Sequence, residues 1–388
     1  MTKAPKRWGW LRRGAIALAF ALAAGAVALP LVYPPEYVRR LLVLGDADVD
    51  DQHWFARREI PSGTPTDPPA APESERVRRA FATAQDGAVL EGAMDDWLAG
   101  NGTLAFVVLQ HGRVIHEAYF QGHDRATPVT SFSVAKSLLS ALFSAAQADG
   151  LIASLDEPVT TYLPELLARD VRFAQITLRH LLDMHSGIAY REIPFFNGDN
   201  AKTYYWPDLR ALALEHTRIA AAPRGEWQYN NYHPLLLGLV LERVTKQHVA
   251  TYLGRRLWQP AGLGPGASWS LDSSASGFEK LESGINARAL DFARFGQLFL
   301  AGGVAEGGTR VLPEALVREA TSPSGAVSLS TLRPGLAYRQ FWWIQQRAGG
   351  EADFSARGNH GQFVFVSPRN GVVIVRFGGG VRRAETIV

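Results

Sequence analysis

Ser131-Phe132-Ser133-Val134-Ala135-Lys136-Ser137 opens a segment in which Leu138, Leu139, Leu142, Phe143 and Ala146 recur at helical spacing until Gly150. Ser133 and Lys136 therefore stand three apart in the first turn of a helix, on one face and within reach of each other. That arrangement suits nucleophilic catalysis. A lysine partly desolvated at the positive end of a helix has its pKa lowered and can take the serine proton. The same helix end stabilises an oxyanion developing beside the serine. A serine and a lysine at this spacing also occur by chance on solvated helices. What sets this pair apart is the apolar, uncharged helix it heads, where a lysine needs a reason.

Two other stretches carry polar groups at the entry to regular structure. Trp227-Gln228-Tyr229-Asn230-Asn231-Tyr232 precedes the apolar run Leu235–Val240. Tyr229 and Asn231 fall on the loop entering that helix. A tyrosine beside a cation can act as general base or proton shuttle, and an asparagine can hold a lysine and a substrate carbonyl together. The plainer reading is an N-cap with a packed aromatic. Arg357-Gly358-Asn359-His360-Gly361-Gln362-Phe363 leads into a strand. Its small residues let a substrate lie against the strand edge, or else form a glycine-rich turn with no such task.

The rest of the chain frames these stretches. Asp86–Leu98 places Leu90, Met94, Trp97 and Leu98 at helical spacing, with Asp86 as N-cap. Leu104–Gln110 and Val114–Phe120 flank His111-Gly112-Arg113, a strand–turn–strand pattern. Phe363–Ser367 and Val372–Phe377 flank Pro368-Arg369-Asn370-Gly371, whose Asn-Gly marks a hairpin. Strands thus bracket a mostly helical middle, about residues 133–300. The expected architecture is α+β: an antiparallel sheet with first and last strands from opposite ends of the chain, flanked by helices, with a mostly helical subdomain inserted. Only Gly378–Val388 follow the last strand, fewer than a terminal helix over the sheet would use.

The chain has 388 residues, 47% apolar and 20% charged, enough for a large core. Cysteine is absent, which removes disulfides, thiolate metal sites and a cysteine nucleophile. The net charge is +3, but Lys3, Lys6, Arg7, Arg12 and Arg13 account for it; without those five, 35 bases face 37 acids. A nucleic-acid footprint needs a basic face on the folded domain, and none is visible. Gly14–Pro35 is uncharged, and Ala15–Val32 is almost wholly Ala, Leu, Val, Ile and Phe. A basic flank before such a run reads as an export signal or a single anchor, here taken as uncleaved, with the N-terminus in the cytoplasm and the rest exported to the periplasm. A buried core helix is the competing reading, but core helices seldom run so long without a polar face. Pro34-Pro35, the acids of Asp46–Asp51 and the turn-rich stretch Pro61–Pro69 read as a tether. The organisation read is an anchor over 1–33, a linker over 34–74 and one domain over 75–388.

Ser133-x-x-Lys136, then Tyr229-x-Asn231, then a His-Gly element before the penultimate strand is a motif order that resembles the serine β-lactamase and penicillin-binding-protein superfamily. Within it the chain is most similar to class C–related hydrolases, the 6-aminohexanoate-dimer hydrolases among them. The similarity covers about residues 53–377, including Leu181–Ile188, Trp258–Leu263 and Gly284–Gly296. The resemblance implies a β-lactamase/transpeptidase-like fold and a small amide or ester substrate, with no cofactor. It also implies that Ser133 forms an acyl-enzyme, that Lys136 and Tyr229 share the base and acid roles, and that Asn231 supports them. The N–H groups of Ser133 and Gln362 would form the oxyanion hole, and Tyr190 would contact the leaving group. One departure matters: Asn359-His360-Gly361 stands where that superfamily usually has Lys-Thr-Gly, so the cation that holds a β-lactam carboxylate is missing, unless Arg357 replaces it.

The ten histidines give no His-Glu-x-x-His pair or other zinc spacing, so no metal site is expected. His180 and His185 read as structural, and Trp206, Trp342 and Trp343 as core or pocket wall. The alternatives to an amidase or esterase are a D-Ala carboxypeptidase, a β-lactamase, or a non-catalytic envelope-anchored binding protein of the same fold. Oligomeric state is not legible.

Overall fold

The computed structural model describes residue 29 and residues 32–83, 94–193 and 195–379. Its strands are β1 (Arg57–Glu59), β2 (Thr103–Gln110), β3 (Arg113–Tyr119), β4 (Pro128–Thr130), β5 (Ser268–Ser270) and β6 (Ile285–Arg288), then β7 (Val327–Ser328), β8 (Leu336–Arg339), β9 (Trp342–Gln346), β10 (Ala352–Gly358), β11 (Gln362–Ser367) and β12 (Val372–Gly378). Its main helices are α1 (Pro35–Leu44), α2 (Ser74–Thr83), α3 (Met94–Gly100), α4 (Val134–Ala148), α5 (Asp199–Tyr205), α6 (Tyr232–Thr245) and α7 (Ala289–Leu300).

An eight-stranded antiparallel sheet runs in the order β3-β2-β12-β11-β10-β9-β8-β7. The first long strand pairs with the last, Val108 opposite Ile374, so the two ends of the chain close one sheet around the helical middle. The β11–β12 hairpin turns at Asn370-Gly371, where Gly371 takes the left-handed φ of 58° that the turn requires. Helix α4 is buried from Val134 to Ala146 and packs against β10 and β11, the behaviour of a helix apolar on all sides. Helix α7 lies on the same sheet, and Gly296 sets how closely: a Cβ there would stand 2.7 Å from a Val373 methyl. This is the α+β architecture expected from the sequence.

Three regions differ from expectation. Residues 34–74, read as a tether, carry α1, a 3-10 turn at Val49–His53 and β1, all packed on the domain. Tyr37 is fully buried and its hydroxyl donates to the Phe196 carbonyl at 2.8 Å. Phe55 and Ile60 are buried, and Asp51 accepts from the Tyr204 hydroxyl at 3.1 Å. These contacts reach partners far along the chain and follow no local period, so the stretch looked structureless. The second difference is a small sheet, β1-β5-β6-β4, whose strands of three and four residues are too short to show alternation. Third, the helix expected from Asp86 is described only as α3; Met94 and Leu98 are buried, while Asp86 and Leu90 lie outside the described residues. Most of the apolar run before Pro35 also lies outside them, and among the described residues no helix is long and apolar enough to cross a membrane.

Candidate active site

The start of α4 is set by a strained turn. Phe132 is buried at φ 41°, a left-handed conformation uncommon for a bulky residue. Ser131 on one side is pinned to Ile285: its N–H donates to the Ile285 carbonyl at 2.8 Å, and its hydroxyl accepts from the Ile285 N–H at 3.1 Å. Beside the turn, the end of β10 runs against the same backbone. A Cβ on Gly358 would stand 2.9 Å from the Ser133 nitrogen and 2.7 Å from the Ser131 oxygen, so only glycine fits there. The Ser133 side chain is thereby presented at the floor of a cleft of about 440 Å³.

Lys136, one turn on, is buried and donates to Ser133 Oγ and to the Glu282 carbonyl, both at 2.8 Å. Burial pulls its pKa down to about 7, while the charges of Glu282 and Glu192 pull the other way. At neutral pH such an amine spends much of its time uncharged and facing a hydroxyl, the state that can accept a proton. The Tyr229 ring lies 4.9 Å from the Lys136 ammonium nitrogen and stacks on Trp343 at 6.2 Å. Burial raises its phenol pKa well above that of a free tyrosine, with the neighbouring Ser133 hydroxyl opposing the shift. Tyr229 is therefore a proton carrier at neutral pH, not a phenolate.

Asn231 stands at the N-cap position of α6, but its side chain makes no capping bond. Its amide donates to the Tyr190 hydroxyl at 2.9 Å, and its Oδ1 is buried without a partner. The N-cap reading is thus replaced by a link to Tyr190, which is itself buried and edge-on to Tyr232 at 5.9 Å. The second support of Lys136 is the Glu282 carbonyl, which no motif indicated.

The turn between β10 and β11 brings Asn359 and His360 to the cleft rim. His360 (φ 60°) and Gly361 (φ 74°) both take left-handed backbone, which reverses the chain within three residues. The His360 Nε2–H donates to the Ala47 carbonyl at 2.8 Å, and its ring rests on Phe132 at 5.0 Å. Gln362 is fully buried and clamped to Gly378 by bonds of 2.7 and 2.9 Å, which fixes the backbone of the strand beside Ser133. Arg357 does not stand in for the missing cation. It shares a strand face with Ser355, to which it donates at 2.9 Å, and its guanidinium lies over Trp343 at 5.0 Å. It lines a separate cavity with Phe81 and Trp97 instead of the cleft.

The cleft therefore joins Ser133, Tyr229, Asn231, Asn359 and His360, with Lys136 beneath and Tyr190 behind. Its other walls were not anticipated: Leu41, Gly45, Asp46 and Ala47 from the N-terminal segment, Glu192, and Tyr204 with Tyr205 of α5. The lining holds Asp46, Glu192 and Glu282 and, among the described residues, no Lys or Arg. A buried pair supports it from below. Lys280 sits 3.3 Å from Glu282, donates to the Tyr204 carbonyl, and lies over the rings of Tyr204 at 3.8 Å and Phe55 at 4.3 Å. Glu279, Lys280 and Glu282, three charged residues within four positions, are the sequence signal for this support. Away from the cleft, Glu242, His248 and Glu279 bring ligand atoms within 4.8 Å of one another, but Arg210 and Arg58 already pair with the two carboxylates.

Residues 68–379 match the β-lactamase family. A 6-aminohexanoate-dimer hydrolase of Paenarthrobacter ureafaciens is 30% identical over 292 residues, 71% of this chain and 72% of the relative. Among solved structures, a Bacillus anthracis protein provisionally assigned by name to the 6-aminohexanoate-dimer hydrolases shares the fold at a TM-score of 0.74, with 23% identity over 87% of this chain and 89% of its own. A class C β-lactamase aligns at a TM-score of 0.56 and 14% identity, over 76% of this chain and 91% of its own. With the family match spanning most of the sheet and the helical insertion, the chain belongs to the β-lactamase family of hydrolases.

Proposed function

We propose that this protein cleaves amide or ester bonds of small substrates through an acyl-enzyme on Ser133, in the manner of the 6-aminohexanoate-dimer hydrolases. The observation that carries the reading is the 2.8 Å contact of a buried, charge-disfavoured Lys136 with the Ser133 hydroxyl. Uncharged Lys136 takes the Oγ proton as Ser133 attacks the substrate carbonyl. The negative charge on that oxygen falls beside the Ser133 N–H at the start of α4, with the N–H of Gln362 as second donor. Tyr229, holding its proton, passes it to the departing amine or alkoxide and is reprotonated by Lys136. Water then attacks the acyl carbonyl as Lys136 takes its proton, the bond to Ser133 breaks as Lys136 returns that proton to Oγ, and the acyl group leaves as the acid.

Substrate charge follows from the lining. With Glu282 paired to Lys280, the cleft keeps the carboxylates of Asp46 and Glu192 and no lysine or arginine among its described lining residues, which does not favour a substrate carboxylate next to Ser133. That argues against a β-lactamase or D-Ala carboxypeptidase and for neutral or amine-bearing amides and esters. The test is turnover of short p-nitrophenyl esters, linear amides and a chromogenic cephalosporin by the same preparation. Ester and amide cleavage should exceed cephalosporin cleavage by about two decades or more. No turnover of any ester or amide, with no covalent labelling, would leave only a binding role for the fold.

A further inference from the structure

Helix α1 has two attachments that are incompatible with a floating domain. Its first residue, Pro35, ends the uncharged run Gly14–Pro35 that reads as a membrane anchor. Its last turn and the residues after it, Leu41, Gly45, Asp46 and Ala47, form one wall of the cleft. Between these points the helix is bolted to the domain by buried Tyr37 and by Arg40, whose guanidinium donates to the Tyr205 carbonyl at 3.1 Å. Six residues of helix separate Pro35 from Leu41, about 9 Å at the usual rise. The polar layer on each side of a bilayer is about 5–8 Å thick. An anchor over residues 1–33, ending just before this helix, therefore keeps the cleft mouth close to the bilayer surface.

The same segment exposes four large apolar side chains. Val32 is 70% exposed, Leu42 72%, Val43 54% and Trp54 62%. Among the described residues eight large hydrophobic side chains are more than a third exposed, and half of them fall within residues 32–54. Single exposed hydrophobics need no explanation, but this grouping does. Pro35, Arg39 and Leu42 share the outward face of α1, with Val43 beside it, a composition suited to lying in a membrane interface, where tryptophan is also favoured. Asp46 and Asp50 are exposed as well, so adhesion would rest on apolar contact and not on attraction to anionic lipid.

We infer that the cleft opens onto a lipid bilayer, with α1 and Trp54 seated in its surface, and that the enzyme draws amphiphilic esters or amides from that bilayer. The substrate half of this inference rests on the hydrolase reading above; the seating does not. The chain has no cysteine, so one introduced cysteine gives a unique label on the full-length protein. Nitroxide labels at Leu42→Cys, Val43→Cys and Trp54→Cys in phosphatidylcholine vesicles should collide mainly with oxygen, while a label at Val171→Cys, on a residue 75% exposed elsewhere, should collide mainly with an aqueous nickel chelate. Labels at 42, 43 and 54 as open to nickel as the one at 171 would overturn the seating. For the substrate, Leu42→Glu with Val43→Glu should lower turnover of a long-chain p-nitrophenyl ester held in the vesicles at least about fivefold, leaving p-nitrophenyl acetate in water within about twofold. Equal effects on the two esters would overturn delivery from the bilayer. Failure of the wild-type chain to turn over p-nitrophenyl acetate would instead sink the hydrolase reading, with the label result still standing.

Discussion

Lys136 is where the proposed chemistry turns on a single proton, and that proton can be followed by pH. Burial brings its pKa from the 10.5 of a free lysine to about 7. At pH 7 about half of the molecules then carry an uncharged amine, against about one in three thousand for an exposed lysine. The rate constant kcat/KM for p-nitrophenyl acetate, corrected for spontaneous hydrolysis, should therefore climb tenfold per pH unit below about pH 7 and level off above it. Glu192 holds the charged form up, so Glu192→Gln should move that limb to lower pH. In Lys136→Arg the guanidinium stays protonated throughout, and the rate should fall by about 10²–10⁴ with the limb gone. Stability moves with the same proton. The unfolded lysine keeps its proton up to about 10.5, whereas the folded one releases it above about 7, so the folded state gains stability as pH rises between those values, by at most about 5 kcal/mol. Urea midpoints measured from pH 6 to 10 report this slope. A wild-type limb near pH 10, or Lys136→Arg retaining the wild-type profile, would refute the assignment of Lys136 as base.

Three other changes read separate parts of the structure. Gly358→Ala forces a Cβ against the Ser133 nitrogen and should abolish ester turnover while circular dichroism stays near native, because the clash falls on the turn that presents Ser133; full activity in this variant would contradict the packing of β10 on α4. Tyr37→Ala removes a fully buried ring and its bond to Phe196, and should lower stability by about 3–5 kcal/mol in denaturant unfolding; a true tether would show no change. Asn359→Lys places a cation on the cleft rim and should raise cephalosporin turnover relative to ester turnover by about one decade; an unchanged ratio would mean that rim charge does not set selectivity.

Strands β2, β3, β11 and β12 of the large sheet and helix α4 were legible because their signals are local, whereas β7–β10, without a clear alternation, were not. Asn370-Gly371 announces a hairpin, and Leu138, Leu139 and Leu142 announce a buried helix beginning near Ser133. The pairing of Ser133 with Lys136 follows from one turn of that helix. What was not legible depends on long-range contact. Tyr37, Phe55 and Ile60 sit in a polar, proline-rich stretch with no period, and only the folded domain shows what they bury against. Strand β1 is Arg-Arg-Glu, which no propensity would choose, and it pairs because β5 offers an edge. Asn231 reads as a cap by position, yet Tyr190, forty-one residues earlier, takes its amide. Arg357 reads as a spare cation near the motif, and strand alternation turns it to the other face of the sheet.

The central claim is that Ser133 is the acylated nucleophile, and the direct measurement is the site of a covalent adduct. The protein is incubated with a fluorophosphonate or a slowly released p-nitrophenyl ester, digested, and the modified peptide sequenced by mass spectrometry. A single adduct on Ser133, absent in Ser133→Ala together with ester turnover, is the predicted result. An adduct on any other residue, or undiminished turnover in Ser133→Ala, would contradict the account.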